Sequence, residues 1–195
     1  MIFAFFYASV FAMLLQNLVF NGGFGMSEAI RIATKPKDFF PIALLVAFFT
    51  STTAAVCSVL DSIEKINAMS TAEHLGIYCF VLAVIYLVFT AVIVITFRKN
   101  KKDTHRIGMA AVNTLVLAVP IINRRAAFDI AESIGLGLGA GIAFIIAVVL
   151  ISEAEVRIKD NDTMSNAFKG KPALFIYIAL ISLGFAGLSG QSLFV

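Results

Sequence analysis

Two asparagines inside long apolar runs are the residues of this chain best suited to bind a ligand or to link helices within a membrane. Asn17 lies in residues 16–20 and Asn113 in residues 112–117, and branched aliphatic residues follow each of them. An amide group both donates and accepts hydrogen bonds. The sequence therefore leaves two interpretations open: a binding centre built around both asparagines, or hydrogen bonds that join neighbouring helices.

The first of these runs leads into a stretch that a helix cannot cross without cost. Asn21 is followed by Gly22, Gly23, Phe24 and Gly25, and then by further apolar chain. Continuous helix would cost about 1 kcal/mol for each glycine relative to alanine. The pattern predicts a half-helix that ends near Asn21, a short irregular stretch and a return to helix. Backbone groups freed by such a break in a membrane must pair with protein or with water in a cavity.

A second break is predicted at Asn113 and Thr114, which interrupt the fourth apolar run. Pro120 follows near the end of that run, where it is expected to disrupt or stop the helix. The candidate centre combines the residues of both breaks: Asn17, Asn21, Gly22, Gly23, Gly25, Asn113 and Thr114. It contains no predicted catalytic residue and no predicted metal ligand.

Cysteine, acidic and histidine residues do not predict a metal centre or a proton path. Cys57 and Cys79 lack the spacing of a metal motif or a disulfide framework, and packing is their expected role. A carboxylate inside the membrane would suggest a cation path. The acidic residues and histidines near the apolar runs instead lie at the ends of the runs, where water is expected to reach them: Asp61, Glu64, Glu73, Asp129, Glu132, Glu153, Glu155, His74 and His105. A proton relay within this subunit alone is therefore not predicted.

Six apolar runs position these residues and fill nearly the whole chain. They lie at about 2–21, 39–60, 75–97, 107–122, 132–152 and 172–190, and runs of about this length are typical of membrane-spanning helices. Only 14% of the residues are charged, against ~25% in a soluble domain. The short loops argue against an extramembrane domain, a nucleotide fold or a nucleic-acid module. The sequence predicts an all-α integral membrane protein with six transmembrane helices, of which helices 1 and 4 are broken.

Basic residues are concentrated on alternate loops. Twelve of the 15 lysines and arginines lie in the first, third and fifth loops: Arg31, Lys35, Lys37, Arg98, Lys99, Lys101, Lys102, Arg106, Arg157, Lys159, Lys169 and Lys171. The other three are Lys65, Arg124 and Arg125. Because loops rich in lysine and arginine stay in the cytoplasm, this pattern places those three loops inside the cell and both chain ends outside.

The chain is predicted to be a single transmembrane domain with two three-helix halves, about 1–100 and about 101–195. Three is an odd number, so the halves enter the membrane in opposite directions, as in an inverted repeat with its site near the midplane. Glycines in the fifth and sixth runs are expected to let neighbouring helices approach closely. They are Gly135, Gly137, Gly139 and Gly141, which reach two neighbours, and Gly184, Gly187 and Gly190 on one side of the sixth run.

The end of the chain resembles a known family. The stretches that carry the resemblance are Ala167-Phe168-Lys169-Gly170-Lys171, Ala173-Leu174 and Ser182-Leu183-Gly184-Phe185-Ala186-Gly187-Leu188-Ser189-Gly190. They are similar to the C-terminal part of the A subunit of the Rnf electron-transport complex, whose family includes the similar D and E subunits of the sodium-pumping Nqr complex. Both asparagine regions and the six-helix plan fit the same family.

The resemblance implies a multi-pass subunit of the bacterial cytoplasmic membrane, paired with a sister subunit of opposite orientation. It also implies a two-iron, two-sulfur cluster between the sisters, held by one cysteine from each broken helix and relaying electrons between flavin-bearing partners. This chain departs from that pattern. Where the family has a cysteine before a proline and an aromatic residue, this chain has Asn21 to Gly25, and where a cysteine follows the second asparagine, it has Thr114. Glycine and threonine cannot supply thiolates, so no cofactor is predicted in this chain. Either it is a cluster-free relative with another role in a related complex, or its electron path uses a different cofactor.

Two classes of function remain open from the sequence. The first is a membrane subunit, non-catalytic alone, of an Rnf/Nqr-like ion-translocating oxidoreductase that supports transmembrane electron transfer coupled to ion transport. Its partners would be the sister subunit, other redox subunits and membrane lipid, with no nucleic acid. The second is a small inverted-repeat secondary transporter or channel subunit whose broken helices bind an ion or small solute directly. A scaffold that only anchors other subunits is a third interpretation.

Overall fold

A computed structural model describes residues 2–34, 36–97, 101–165 and 167–189, without the side chains of 36–39, 97 and 101–103. These residues form helices and connecting turns and contain no β-strand. The helices are α1 (Ile2–Val10), a π-helical turn (Phe11–Leu15), α2 (Met26–Ala33), α3 (Pro36–Asp61), α4 (Glu64–Asn67), α5 (Thr71–Phe97), α6 (Lys101–Ala111), α7 (Thr114–Ala126), α8 (Ile130–Lys159) and α9 (Lys171–Ser189).

Five helical segments are long and apolar enough to cross a membrane. They are Phe40–Asp61, Thr71–Thr96, Thr104–Ala126, Ile130–Lys159 and Lys171–Ser189, while the first apolar run gives the shorter segment Ile2–Leu15. This arrangement confirms the predicted all-α integral membrane protein, and the breaks in the first and fourth runs are present. Helix α8 extends to Lys159, beyond the predicted end at residue 152. Two i,i+4 ion pairs, one of them Lys159 with Glu155, support this extension.

Of the two effects predicted for Pro120, disruption or an end of the helix, the end is not observed. It is buried inside α7, which continues for six further residues to Ala126. A proline within a membrane helix is tolerated when surrounding protein accommodates the freed backbone carbonyl and the ring. Here the ring lies in a helix whose neighbours α3, α5 and α8 pack around it.

Helix α8 forms the centre of the fold, because glycines allow two helices to approach its backbone. A methyl group on Gly137 would lie 2.7 Å from the Cα of Ser51 in α3, closer than real atoms approach. The facing pairs are Gly135 with Phe5 and Gly139 with Ser9 on α1, and Gly137 with Ser51 and Gly141 with Ala47 on α3. The prediction of two close neighbours for this run is confirmed. The numbering of the pairs also shows that α8 runs parallel to α1 and antiparallel to α3.

Helices α5 and α9 bury little of their surface within the chain. Only 11% of the most apolar stretch of each is buried, against 61% in α8. The expectation of close packing at Gly184 and Gly187 is wrong within this chain, since no atom lies within 4 Å of a Cβ built at either residue. Gly190 lies outside the described residues. Both helices therefore present apolar surface that something outside the described chain must cover.

Candidate functional site

The first break begins earlier in the chain than the sequence predicts. Helix α1 widens into a π-helical turn, closed by a 2.7 Å hydrogen bond from the backbone N–H of Gln16 to the carbonyl of Phe11. The α-helix ends at Val10 and the π-helical turn at Leu15, so helical structure does not reach Asn21. Residues 16–25 form turns before α2 begins at Met26. The predicted return to helix is thus observed, with an irregular stretch longer than expected.

Asn17 explains why the helix ends there. Its Oδ1 accepts hydrogen bonds of 3.1 Å from the backbone N–H groups of both Val19 and Phe20, and its Nδ2 donates to the carbonyl of Met13 at 3.2 Å. An asparagine that captures nearby backbone groups in this way competes with the helix. Asn17 is completely buried, and all of these hydrogen bonds stay within its own segment.

The remaining polar and glycine residues of this break shape the turn. Asn21 donates from Nδ2 to the carbonyl of Leu15 at 3.3 Å, which pairs a carbonyl at the end of the helix. Gly23 and Gly25 have φ values of 69° and 75°, in the left-handed region that favours glycine. Gly22 and Gly23 are exposed, whereas Gly25 is buried. Gly25 is therefore the glycine of the break that faces the protein interior.

The second break repeats the local chemistry of the first. Helix α6 ends at Ala111, and Asn113 adopts an extended conformation with φ −117° and ψ 132°. Its Oδ1 accepts a 3.0 Å hydrogen bond from the backbone N–H of Leu115, so Asn113 caps α7. In both breaks the asparagine thus accepts from the residue two positions later. Unlike Asn17, Asn113 is buried with an Nδ2 that has no hydrogen-bond partner in the described chain.

The two breaks meet at Gly25 and Thr114. The backbone N–H of Gly25 donates a 2.8 Å hydrogen bond to Oγ1 of Thr114. A Cβ at Gly25 would lie 2.8 Å from Oδ1 of Asn113, so only glycine fits there without a shift. Of the predicted centre, the structure brings together Gly25, Asn113 and Thr114, while Asn17 and Asn21 bond within their own break.

This meeting point also joins the beginnings of two helices. Gly25 is the N-cap of α2 and Asn113 is the N-cap of α7, and each helix start carries a partial positive charge. Glu28 in the first turn of α2 offsets part of this charge. It accepts from the Ser27 hydroxyl at 2.6 Å and pairs with Arg31 at 3.3 Å.

Glu28 is not among the residues that the sequence pattern singles out, although its position directly after the break is a signal for it. It lines an open cavity of about 800 Å³ between α2, α5 and α6. The cavity wall also includes Tyr86 and His105 and extends to Val112, the residue before Asn113. The cavity therefore reaches from the loops rich in basic residues to the second break.

A second polar cluster lies at the opposite face, where α3, α5 and α7 meet. His74 is 1% exposed, so the expectation that water reaches it freely at a helix end is wrong. Helix α5 turns its ring inward, toward Asp61 at the end of α3. The hydroxyl of Tyr78 donates to Oδ2 of Asp61, and Arg124 of α7 lies 3.8 Å from Oδ1. Spacing along the sequence does not reveal this cluster, because its members come from three helices.

The residues at the break do not fit an iron–sulfur cluster. Such clusters are held by thiolates, whereas the break offers a glycine, an asparagine amide and a threonine hydroxyl that is already bonded. Cys57 is buried in α3 and Cys79 is exposed on α5, so neither cysteine belongs to a break. Among the described residues, no group of three or more His, Cys, Asp or Glu is placed to hold a metal ion.

Comparison with known proteins places the chain in a family. The family model described as Rnf-Nqr subunit, membrane protein, matches residues 5–192, nearly the whole chain. No curated protein matched. The matched family comprises membrane subunits of multi-subunit complexes, which suggests other subunits as partners. The chain belongs to the Rnf-Nqr family of membrane subunits.

Proposed function

We propose that this chain is a membrane subunit of an ion-translocating oxidoreductase of the Rnf/Nqr type. In that role it supports transmembrane electron transfer coupled to ion transport, without binding an iron–sulfur cluster through its own residues. The observation that carries the proposal is the hydrogen bond between Gly25 and Thr114. Its donor and its acceptor lie in the two breaks where the family resemblance implies cysteines, so this hydrogen bond joins the two breaks directly.

The partner in this proposal is a sister subunit of opposite orientation. The exposed apolar surfaces of α5 and α9 support it, because spans that bury so little within one chain need lipid or protein to cover them. The unpaired Nδ2 of Asn113 supports it as well, since a buried amide without a partner costs free energy. A carbonyl from a sister subunit would pair that group.

The orientation follows from the basic loops. With the first, third and fifth loops in the cytoplasm of a bacterial cell, the Glu28 cavity opens inward and both chain ends lie outside. Under this proposal the electron carriers belong to partner subunits. The two breaks, joined by the hydrogen bond between Gly25 and Thr114, then pack beside these electron carriers. The Glu28 cavity provides polar side chains on the cytoplasmic side.

The alternative function is a small transporter or channel subunit, and the cavity of about 800 Å³ favours it. A cavity beside the first turn of α2 and the break before α7 is the kind of place where broken membrane helices bind a solute or ion. In this case the chain would work without redox partners. Purification from native membranes under mild detergent separates the two functions.

The expected result is co-purification with a second Rnf-Nqr subunit and with flavin-bearing subunits. In the Thr114→Val variant, iron and acid-labile sulfide per assembled complex should be unchanged, because this chain provides no cluster ligand. Isolation of the chain alone, with ion or solute uptake by the purified chain in vesicles, would support the transporter and contradict the proposal. Cluster loss on substitution of Cys57 or Cys79 by alanine would show that the chain does ligate iron.

A further inference from the structure

The position of one hydrogen atom on His74 follows from its surroundings. Nδ1 of the ring lies 2.9 Å from the backbone carbonyl of Ser70. A carbonyl oxygen only accepts hydrogen bonds, so Nδ1 must carry the hydrogen in this contact. In a neutral imidazole the other nitrogen, Nε2, then carries only a lone pair.

That lone pair faces another acceptor. Nε2 of His74 lies 3.5 Å from Oδ1 of Asp61. Both atoms are buried, and neither has a hydrogen-bond donor in the described chain. Two unpaired acceptors that face each other in a buried site repel each other. A proton on Nε2 removes the repulsion and turns the contact into a charge-assisted pair.

We propose that His74, Asp61 and Tyr78 form a proton-binding site. A proton from water binds to the Nε2 lone pair of His74, and the resulting imidazolium is paired with the Asp61 carboxylate. Tyr78 holds that carboxylate in place, because its hydroxyl donates a 2.5 Å hydrogen bond to Oδ2. The site is independent of the proposed redox role, since it lies entirely within this chain.

Other charged groups lie close to the site. Arg124 from α7 lies 3.8 Å from the same carboxylate oxygen and is held in place by hydrogen bonds of 3.2 and 3.0 Å to Asn67. Arg124 and the protonated ring of His74 therefore share one carboxylate. The other titratable groups near the site are the thiol of Cys57, which packs against Tyr78, Glu73 beside His74, and Arg125 at the cavity wall.

A cavity gives water a route to the ring. It has a volume of about 570 Å³, lies between α5 and α7, and is lined by His74, Tyr78 and both arginines of α7. Its mouth is on the face opposite the loops rich in basic residues. The proton therefore enters and leaves from that face.

The chain contains only two histidines, so nitrogen NMR of ring-labelled histidine tests the proposal in the assembled complex. The His105→Gln variant leaves His74 as the only signal of the chain, and a complex with unlabelled partners removes theirs. In a titration from pH of about 5 to 9, Nδ1 should stay protonated while Nε2 loses its proton. In Asp61→Asn this loss should move to lower pH by about one pH unit or more.

The Tyr78→Phe variant should move the loss in the opposite direction, to higher pH. Without the tyrosine hydroxyl, Asp61 has one stabilising donor fewer and attracts the Nε2 proton more strongly. Opposite shifts in the two variants would not follow from a general loosening of the fold. Identical titrations in wild type and both variants would overturn the proposal. So would a neutral ring protonated only at Nε2, or an Nε2 signal that responds to added Zn²⁺ or Na⁺ at constant pH.

Discussion

The backbone N–H of Gly25 donates to Oγ1 of Thr114 across 89 positions of sequence. This single bond joins the broken first span to the broken fourth span. A backbone N–H left unpaired in a membrane costs several kcal/mol, and helix starts leave such groups unpaired. The threonine hydroxyl therefore stabilises the break of one span with a group from the break of the other.

Thr114→Val is expected to destabilise the chain by about 1–3 kcal/mol, the cost of a buried donor left without its partner. Valine keeps the shape of threonine but cannot accept a hydrogen bond. Thr52→Val is the matched control, because that hydroxyl bonds only to carbonyls of its own helix. The thermal unfolding midpoint in detergent measures the effect, and Thr114→Ser should restore it. Equal midpoints for the two valine variants would show that the bond contributes nothing.

Gly25→Ala is expected to destabilise the chain more than Gly23→Ala. Both residues have positive φ, so alanine at either position carries a conformational cost of about 1–2 kcal/mol. Only at Gly25 does the added methyl group also overlap Oδ1 of Asn113, since nothing lies within 4 Å at Gly23. The difference between the two unfolding midpoints measures the contact between the breaks. No difference would mean that the breaks do not touch.

The breaks could be located from the sequence because their causes are local. Asparagine and glycine act on the backbone within a few positions, so Asn113 and the glycines after Asn21 reveal irregular chain. The early end of the first helix was harder to predict. It depends on a π-helical turn and on hydrogen bonds from nearby backbone N–H groups to the side chain of Asn17. Hydropathy reveals neither feature.

Contacts between helices could not be predicted in the same way. Hydropathy treats His74 and Asp61 as residues at the ends of separate spans, and only the packing of α3 against α5 turns the ring toward the carboxylate. Glycines show the same limit. Those of α8 face close neighbours, whereas Gly184 and Gly187 on α9 face open space, although both sets look alike in the sequence.

Gly137→Ala is expected to lower the unfolding midpoint of the chain, because the methyl group would collide with the backbone of Ser51. Backbone atoms in two packed helices cannot move aside without separating the helices, and overpacking of this kind typically costs about 1–3 kcal/mol. Gly184→Ala is the control within α9, where no atom lies near the added group. Alanine is the better helix former, so the control should be neutral or stabilising in the isolated chain. Equal midpoints for Gly137→Ala and wild type would rule out the close approach of α8 to α3.

Loss of complex assembly in Gly184→Ala, with normal stability of the isolated chain, would place a partner subunit on that face. Unchanged assembly would indicate that lipid covers the Gly184 face of α9.

The proposed orientation predicts which residues react with a thiol reagent from outside the cell. In a background with Cys57 and Cys79 changed to alanine, a cysteine at Met69 should react with an impermeant reagent in sealed cells. A cysteine at Asp162, whose side chain is 98% exposed, should react only after the cells are opened. Both residues are exposed and lie between helices, so labelling reports the side of the membrane. The reverse pattern would invert the orientation, and labelling of both from outside would contradict the span count.

The Asn113→Asp substitution separates two roles of that asparagine: its Oδ1 accepts a hydrogen bond from Leu115, and its Nδ2 is free to donate to a partner subunit. The carboxylate keeps an acceptor for the N–H of Leu115, and the starts of α7 and α2 both stabilise a negative charge at this position. The isolated chain should therefore keep its unfolding midpoint. The variant lacks the Nδ2 donor, which has no partner in the described chain, so complex assembly or turnover should fall if a partner's carbonyl binds it. Asn113→Leu, which loses both functions, should be unstable as well. If Asn113→Asp assembles and turns over like wild type, Asn113 is only a helix cap, and the functional centre of this subunit does not include its amide.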